Sequence, residues 1–144
     1  MKVFFFLLLK FIFINILYSN DEYIISSFAT HSSNKIETSK GYKFSISEAV
    51  GNWQDNKGNY GKTKIIFYVE EVDNMTTIKG LGELIDQENK RIWILPERET
   101  IQDAGVGTVK IIDASEKYIF LINKKCFYAI NYLDDRSFLK IKCT

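Results

Sequence analysis

From Tyr42 to the C-terminus, apolar and polar residues alternate in short runs broken by turn-forming clusters about every ten residues. That pattern predicts antiparallel strands folded into a sandwich or barrel. Tyr42, Phe44 and Ile46 alternate with Lys43, Ser45 and Ser47 in a first strand, Tyr42–Trp53. After the Gly/Asn loop Asp55–Gly61 comes Lys62–Val72, whose Ile65–Val69 run is apolar on both faces and reads as a central strand. Asp73-Asn74 turns the chain into Thr76–Ile85, where Gly80 and Gly82 mark a bulge, a corner or a close backbone approach. Asp86–Lys90 turns it again into Arg91–Leu95, which Pro96, the only proline, should end or hold to an edge. Beyond a long loop, Glu97–Gly107, strands are expected at Thr108–Ala114, at Tyr118–Asn123 and in a last hairpin around Asp134-Asp135. No segment keeps the helical period, so residues 42–144 are expected to form an all-β domain, a small antiparallel eight-stranded meander barrel. A barrel is favoured over a sandwich because closure removes exposed sheet edges.

Upstream the pattern changes. Residues 1–19 combine Lys2, an apolar run and the small Ser19 ahead of Asn20-Asp21-Glu22, the layout of a secretory signal peptide. The run from Val3 to Tyr18 is 16 residues and is interrupted by Lys10 and Asn15. A membrane span needs about 20 apolar residues, so cleavage near Ser19 is expected and no membrane segment should remain. The mature chain should then be secreted or periplasmic. Residues 20–41 are polar and weakly patterned and read as an exposed arm, with at most a short strand at Tyr23–Phe28.

Charge and composition remove function classes. The formal net charge is +1, but Lys2 and Lys10 belong to the leader, and the rest carries 17 basic against 18 acidic residues. No basic field is present to recruit nucleic acid. One histidine, His31, and two cysteines give no metal-ligand or triad spacing, so no metal, cofactor or catalytic residue is assigned. Glu70 and Glu71, adjacent on a strand, point to opposite faces and cannot share a site. Export makes a disulfide the default for Cys126 and Cys143. With Asp134-Asp135 as a two-residue turn, Leu133 faces Arg136, and counting outward sets Cys126 opposite Cys143.

The segments Gly51–Gly61, Asp103–Thr108 and Asp113–Tyr118, with the Cys126-containing end, resemble a group of small exported bacterial proteins of unassigned function. Through them the chain resembles the allene oxide cyclase and dirigent type of eight-stranded, calycin-like barrel. The resemblance covers residues 48–143 and rests on turn and loop motifs. It implies the barrel and carries over no catalytic residue.

Small barrels can hold one ligand between aromatic walls and a few placed polar groups. The candidate contacts are Trp53, Tyr60 and Trp93, with Arg98 and Asp103 on the loops that would rim a barrel end. The same aromatics would serve as ordinary packed core. Asn74-Met75-Thr76 is a glycosylation sequon at a hairpin tip, although in a bacterial protein Asn74 is simply a turn residue. The functional expectation is an exported, non-enzymatic barrel that binds a small apolar ligand or a partner protein. The alternatives are a cyclase- or isomerase-like barrel enzyme with an apolar cavity, and a structural or interaction module with a filled core.

Overall fold

Buried and exposed positions alternate along the strands and sort the chain into an inner and an outer face, and the wall they form closes on itself. The computed structural model describes residues 22–100 and 105–144. The strands are β1 (Tyr23–Glu37), β2 (Lys43–Asp55), β3 (Tyr60–Val72), β4 (Met75–Asp86), β5 (Arg91–Thr100), β6 (Val106–Ala114), β7 (Cys126–Leu133) and β8 (Arg136–Cys143). Each pairs antiparallel with the next and β8 pairs with β1, giving the closed eight-stranded meander barrel expected from the pattern. Among the described residues no helix is long and apolar enough to cross a membrane. The leader expected over residues 1–19 lies outside the described residues.

Two expected elements trade places. Residues 20–41, expected as an exposed arm, instead supply β1, which pairs with β8 from Tyr23 to Thr30 and with β2 from Ile25 to Glu37. Its inward positions are Tyr23, Ile25, Ser27, Ala29 and His31, and the small or polar ones among them hide the strand period. Tyr118–Asn123, expected as a strand, instead falls largely in a 3-10 helix at Glu116–Leu121. Tyr118 and Leu121 are three residues apart and both buried, the spacing that eclipses side chains on a 3-10 turn, while Ile119 and Phe120 face outward.

Pro96 does not end β5, which runs on to Thr100, so the expected loop from Glu97 is shorter than the sequence suggested. The β4–β5 pairing instead passes from Lys79–Glu97 to Gly82–Ile94, omitting the proline and its neighbour. A closed barrel has no edge on which to place a residue lacking an N–H, so a gap in the ladder takes that role. Gly82 is a close approach, because a Cβ there would strike the side chains of Ile65 and Ile94 inside the barrel.

The 3-10 helix seals one end. Tyr118 and Leu121 pack beneath it with Tyr23, Trp53, Leu84 and Ile92, all at most 2% exposed. Trp53 meets the Tyr118 ring edge-on at 6.2 Å and donates its indole N–H to the Ile85 carbonyl at 3.2 Å. The Tyr118 hydroxyl donates to the buried Asp86 carboxylate at 2.8 Å, and the Tyr23 hydroxyl donates to Asp55. Cys126 and Cys143 stand directly opposite across β7–β8 and are disulfide-bonded, with Asp134 in the left-handed region at φ 54° in the turn between.

Candidate functional site

The other end of the barrel is built differently. Its inward positions include Ser27, Ala29, Ala49, Pro96 and Ser137, residues too small to fill the interior. They leave a cavity of about 60 Å³, walled by apolar groups such as Ile65, Phe67, Ile78, Ile94 and Leu139 and open toward solvent. Gly107 makes room for the ring of Tyr128, with which a Cβ there would collide.

The polar side chains on this wall are Ser27, His31, Tyr128, Tyr132 and Ser137, and two of them are paired. His31 Nε2 and Ser137 Oγ are 2.5 Å apart, a hydrogen bond whose direction follows the imidazole tautomer. The His31 ring also meets Phe67 at 6.0 Å and Tyr132 at 5.7 Å, edge to face in both cases. The His31 backbone N–H donates to the Asp135 carbonyl at 2.7 Å and ties β1 to the β7–β8 turn. Burial pushes the His31 pKa below its ordinary value, against the opposing charge of Asp135, so the ring is neutral at pH 7. Ser137 is 4% exposed. Deeper in, burial raises the Tyr128 pKa, and the positive charge of Arg98 opposes that rise. A neutral imidazole and a hydroxyl can donate to, accept from or move a proton at a small polar atom inside a mostly apolar cup. Among the described residues there is no cluster of His, Cys, Asp and Glu that could hold a metal ion.

The residues singled out from sequence do not gather into one mouth. Trp53 belongs to the sealed end. Tyr60 is exposed on the outer face, where it and Trp53 border a surface groove. Trp93 lies between the inward-facing Ile92 and Ile94 and so faces outward opposite Glu83. Arg98 is not on a loop: it is an inward residue of β5, 6% exposed, paired across the ladder with Ile78. Along β4 that pairing is eight residues from Asp86, which neighbours Trp53 through Gly61, a separation of about 26 Å along the strand. Asp103 lies outside the described residues. Asn74 sits at the exposed tip of the β3–β4 hairpin with φ 66°, beside Asp73 at 49°, the pair of left-handed residues that a tight hairpin turn requires. His31 and Ser137 carried no signal in the sequence beyond inward parity on strands, since neither stands in a motif.

No family model and no curated protein matches the chain. Solved structures do. A conserved protein of unknown function from Rhodopseudomonas palustris aligns with a TM-score of 0.71 at 8% identity, over 85% of this chain and 96% of its own. A protein of unknown function from Clostridium acetobutylicum aligns with a TM-score of 0.73 at 14% identity, over 86% of this chain and 99% of its own. An enzyme from Penicillium herquei aligns with a TM-score of 0.69 at 13% identity, over 84% of this chain and 90% of its own. At these identities the likeness establishes the barrel fold and no narrower kinship.

Proposed function

We propose that this chain is a binding barrel that works outside the cytoplasm and takes into its open end a small apolar molecule carrying one hydrogen-bonding atom. One observation carries the reading: the barrel is filled with large side chains at its sealed end and left as an apolar cavity of about 60 Å³ beside His31 and Ser137 at the other. A purely structural barrel gains stability by filling such a space. The volume is far below the roughly 300–1,000 Å³ of sites that enclose a whole small molecule, so the interior receives the end of a ligand while the remainder rests against Phe67 and Tyr132 at the mouth. The disulfide is consistent with an oxidising compartment.

The test is native mass spectrometry of the protein purified from its own host, beside a His31→Ala and a Ser137→Val variant. Non-covalent mass that leaves on denaturation, and that both variants lose, supports the reading. A bare protein in every sample opposes it and favours a partner-binding or structural module. A cyclase or isomerase of the allene oxide cyclase kind is the second reading, favoured by the neutral His31 beside Ser137. It differs in outcome, because an enzyme converts the retained molecule and His31→Gln preserves binding while abolishing conversion.

A further inference from the structure

The outer face carries a groove distinct from the open-end cavity. The groove, of about 790 Å³, runs across β8, β1, β2 and β3 to the β4–β5 hairpin. That volume lies within the roughly 300–1,000 Å³ of small-molecule sites. Its floor follows the cross-strand row Phe138, Phe28, Asn52, Lys62 and Ile85. Four interstrand steps give it a length of about 19 Å, at about 4.8 Å per strand. Phe28 and Phe138 face each other directly across the β1–β8 ladder and are 52% and 49% exposed, and Tyr60 is 61% exposed. Between and beside these rings stand exposed amides: Asn52, Gln54, Gln87 and Asn89. Gln87 Oε1 accepts the Tyr60 backbone N–H at 3.0 Å, which fixes the carbonyl end of that amide against the backbone and turns its NH₂ end away.

We propose that this groove binds a neutral oligosaccharide. The C–H faces of a pyranose ring stack on aromatic rings, and its hydroxyls both donate and accept, as amide side chains do. Other ligands meet the wall less well. Among the described residues Lys62 is the only basic side chain lining the groove, too little charge to hold the phosphates of a nucleic acid or an anionic lipid. A peptide adding as a strand needs a sheet edge, and the closed barrel has none here. A wholly apolar ligand would strip water from four amides and return no hydrogen bond. Asp86, which also borders the groove, has its carboxylate buried against Lys117 and Tyr118 and presents no charge there.

The experiment titrates isotope-labelled protein with cellohexaose, chitohexaose and mannohexaose, and in parallel with a heparin hexasaccharide and with decanoate, following backbone amide resonances. The expected result is that at least one neutral sugar moves the resonances of Phe28, Asn52, Tyr60 and Phe138 saturably. Phe28→Ala and Phe138→Ala should each weaken that binding about tenfold. Because both rings are half exposed, their loss should lower the thermal midpoint by only a few degrees and leave the barrel folded, and Asn52→Ala weakens binding through the hydrogen bonds alone. Silence of these resonances toward all three neutral sugars overturns the proposal. So does preferential binding of heparin or decanoate in the groove, a response confined to the His31 end of the barrel, or sugar binding that survives both phenylalanine variants.

Discussion

Asp55 and Asp86 end β2 and β4 in the same way: each carboxylate accepts the backbone N–H groups two and four residues on, all at 2.8 Å, and a tyrosine hydroxyl from elsewhere in the chain. The fourth residue of each hairpin turn is left-handed, Gly58 at φ 90° and Asn89 at 62°. The tyrosines are Tyr23 of β1 and Tyr118 of the 3-10 helix, so the two hairpins anchor the first strand and the plug that seals the barrel. Burial alone would raise both carboxyls. The hydrogen bonds they accept outweigh it and hold Asp55 below its ordinary value and Asp86 at about 2.

Asp86 is the stronger anchor, since its side chain is fully inaccessible and also takes Lys117 Nζ at 2.8 Å. Its folded pKa lies below its unfolded one, so the unfolded chain binds more protons as the pH falls below about 4. The stabilisation is therefore complete at neutral pH and is lost as the pH drops through about 2. Asp86→Asn keeps the shape but turns one acceptor into a donor facing Lys117 or Tyr118. It should lower stability by about 1.5–3 kcal/mol at pH 7 and flatten the acid limb, as measured by denaturant unfolding across pH. Equal acid limbs in the two proteins would mean that the plug is held by packing alone.

The seam between β6 and β7 is the shortest ladder of the barrel, from Val106–Val109 against Ala129–Cys126. The disulfide lies at its end, in the row Val109, Cys126, Cys143 and Tyr23 that ties β6, β7, β8 and β1 together. Replacing both cysteines with alanine should cost about 3 kcal/mol in the chain-entropy picture. Hydrogen exchange should accelerate first at Val106–Val109 and Cys126–Ala129, because the shortest ladder is the part that opens locally. Uniform acceleration over all strands would assign the bridge to global stability only.

How much of this was legible follows from parity. The Cys126–Cys143 pairing could be counted outward from Asp134-Asp135 because a two-residue turn fixes register and side chains alternate. The number of strands could be read as well, but not which segments supply them. β1 hides its period because the cavity needs Ser27, Ala29 and His31 at inward positions, where a filled barrel would carry large apolar residues. Tyr118–Asn123 looks like a strand by composition, and only tertiary burial of Tyr118 and Leu121 selects the 3-10 turn. Trp93 has isoleucine on both sides, so its outward direction depends on closure of the barrel rather than on any local alternation. The open-end site was illegible for a related reason: His31 and Ser137 are 106 residues apart and meet only because β1 and β8 close the ring.

Arg98 was expected on a loop, where an ion pair contributes little. As an inward residue of β5 beside Tyr128, it fills space with its alkyl stem as well as carrying charge. Arg98→Ala should cost more than about 2 kcal/mol by thermal or denaturant unfolding, well above a surface substitution. A loss near zero would place the side chain in solvent.

The cavity can be tested by filling it. Ala49 is 4% exposed and lines the apolar wall, and a β-branched residue suits its place in β2. Ala49→Val should leave stability unchanged or raise it by up to about 1 kcal/mol, while the ligand retained in native mass spectrometry is lost. A fall of more than about 1 kcal/mol would show that the space is already occupied by packing atoms.

His31 is the only histidine in the chain, so a titration between the carboxylates and the cysteine range reports on it with little interference. Its folded pKa lies below the ordinary 6.5, because the half-buried ring resists charging. As the pH falls below 6.5 the unfolded chain takes up a proton that the folded chain does not, so stability declines until the folded pKa is reached and then levels. A protonated ring would also donate from both nitrogens and place a charge beside the apolar wall, so ligand retention should weaken over the same interval. His31→Gln keeps a hydrogen-bonding side chain opposite Ser137 and removes the titration. The variant should lose both the decline in stability and the weakening of ligand retention as the pH falls below about 6.5, followed by denaturant unfolding and native mass spectrometry. A slope that persists in the variant would move the proton to another group and detach the His31–Ser137 pair from the chemistry of the cavity.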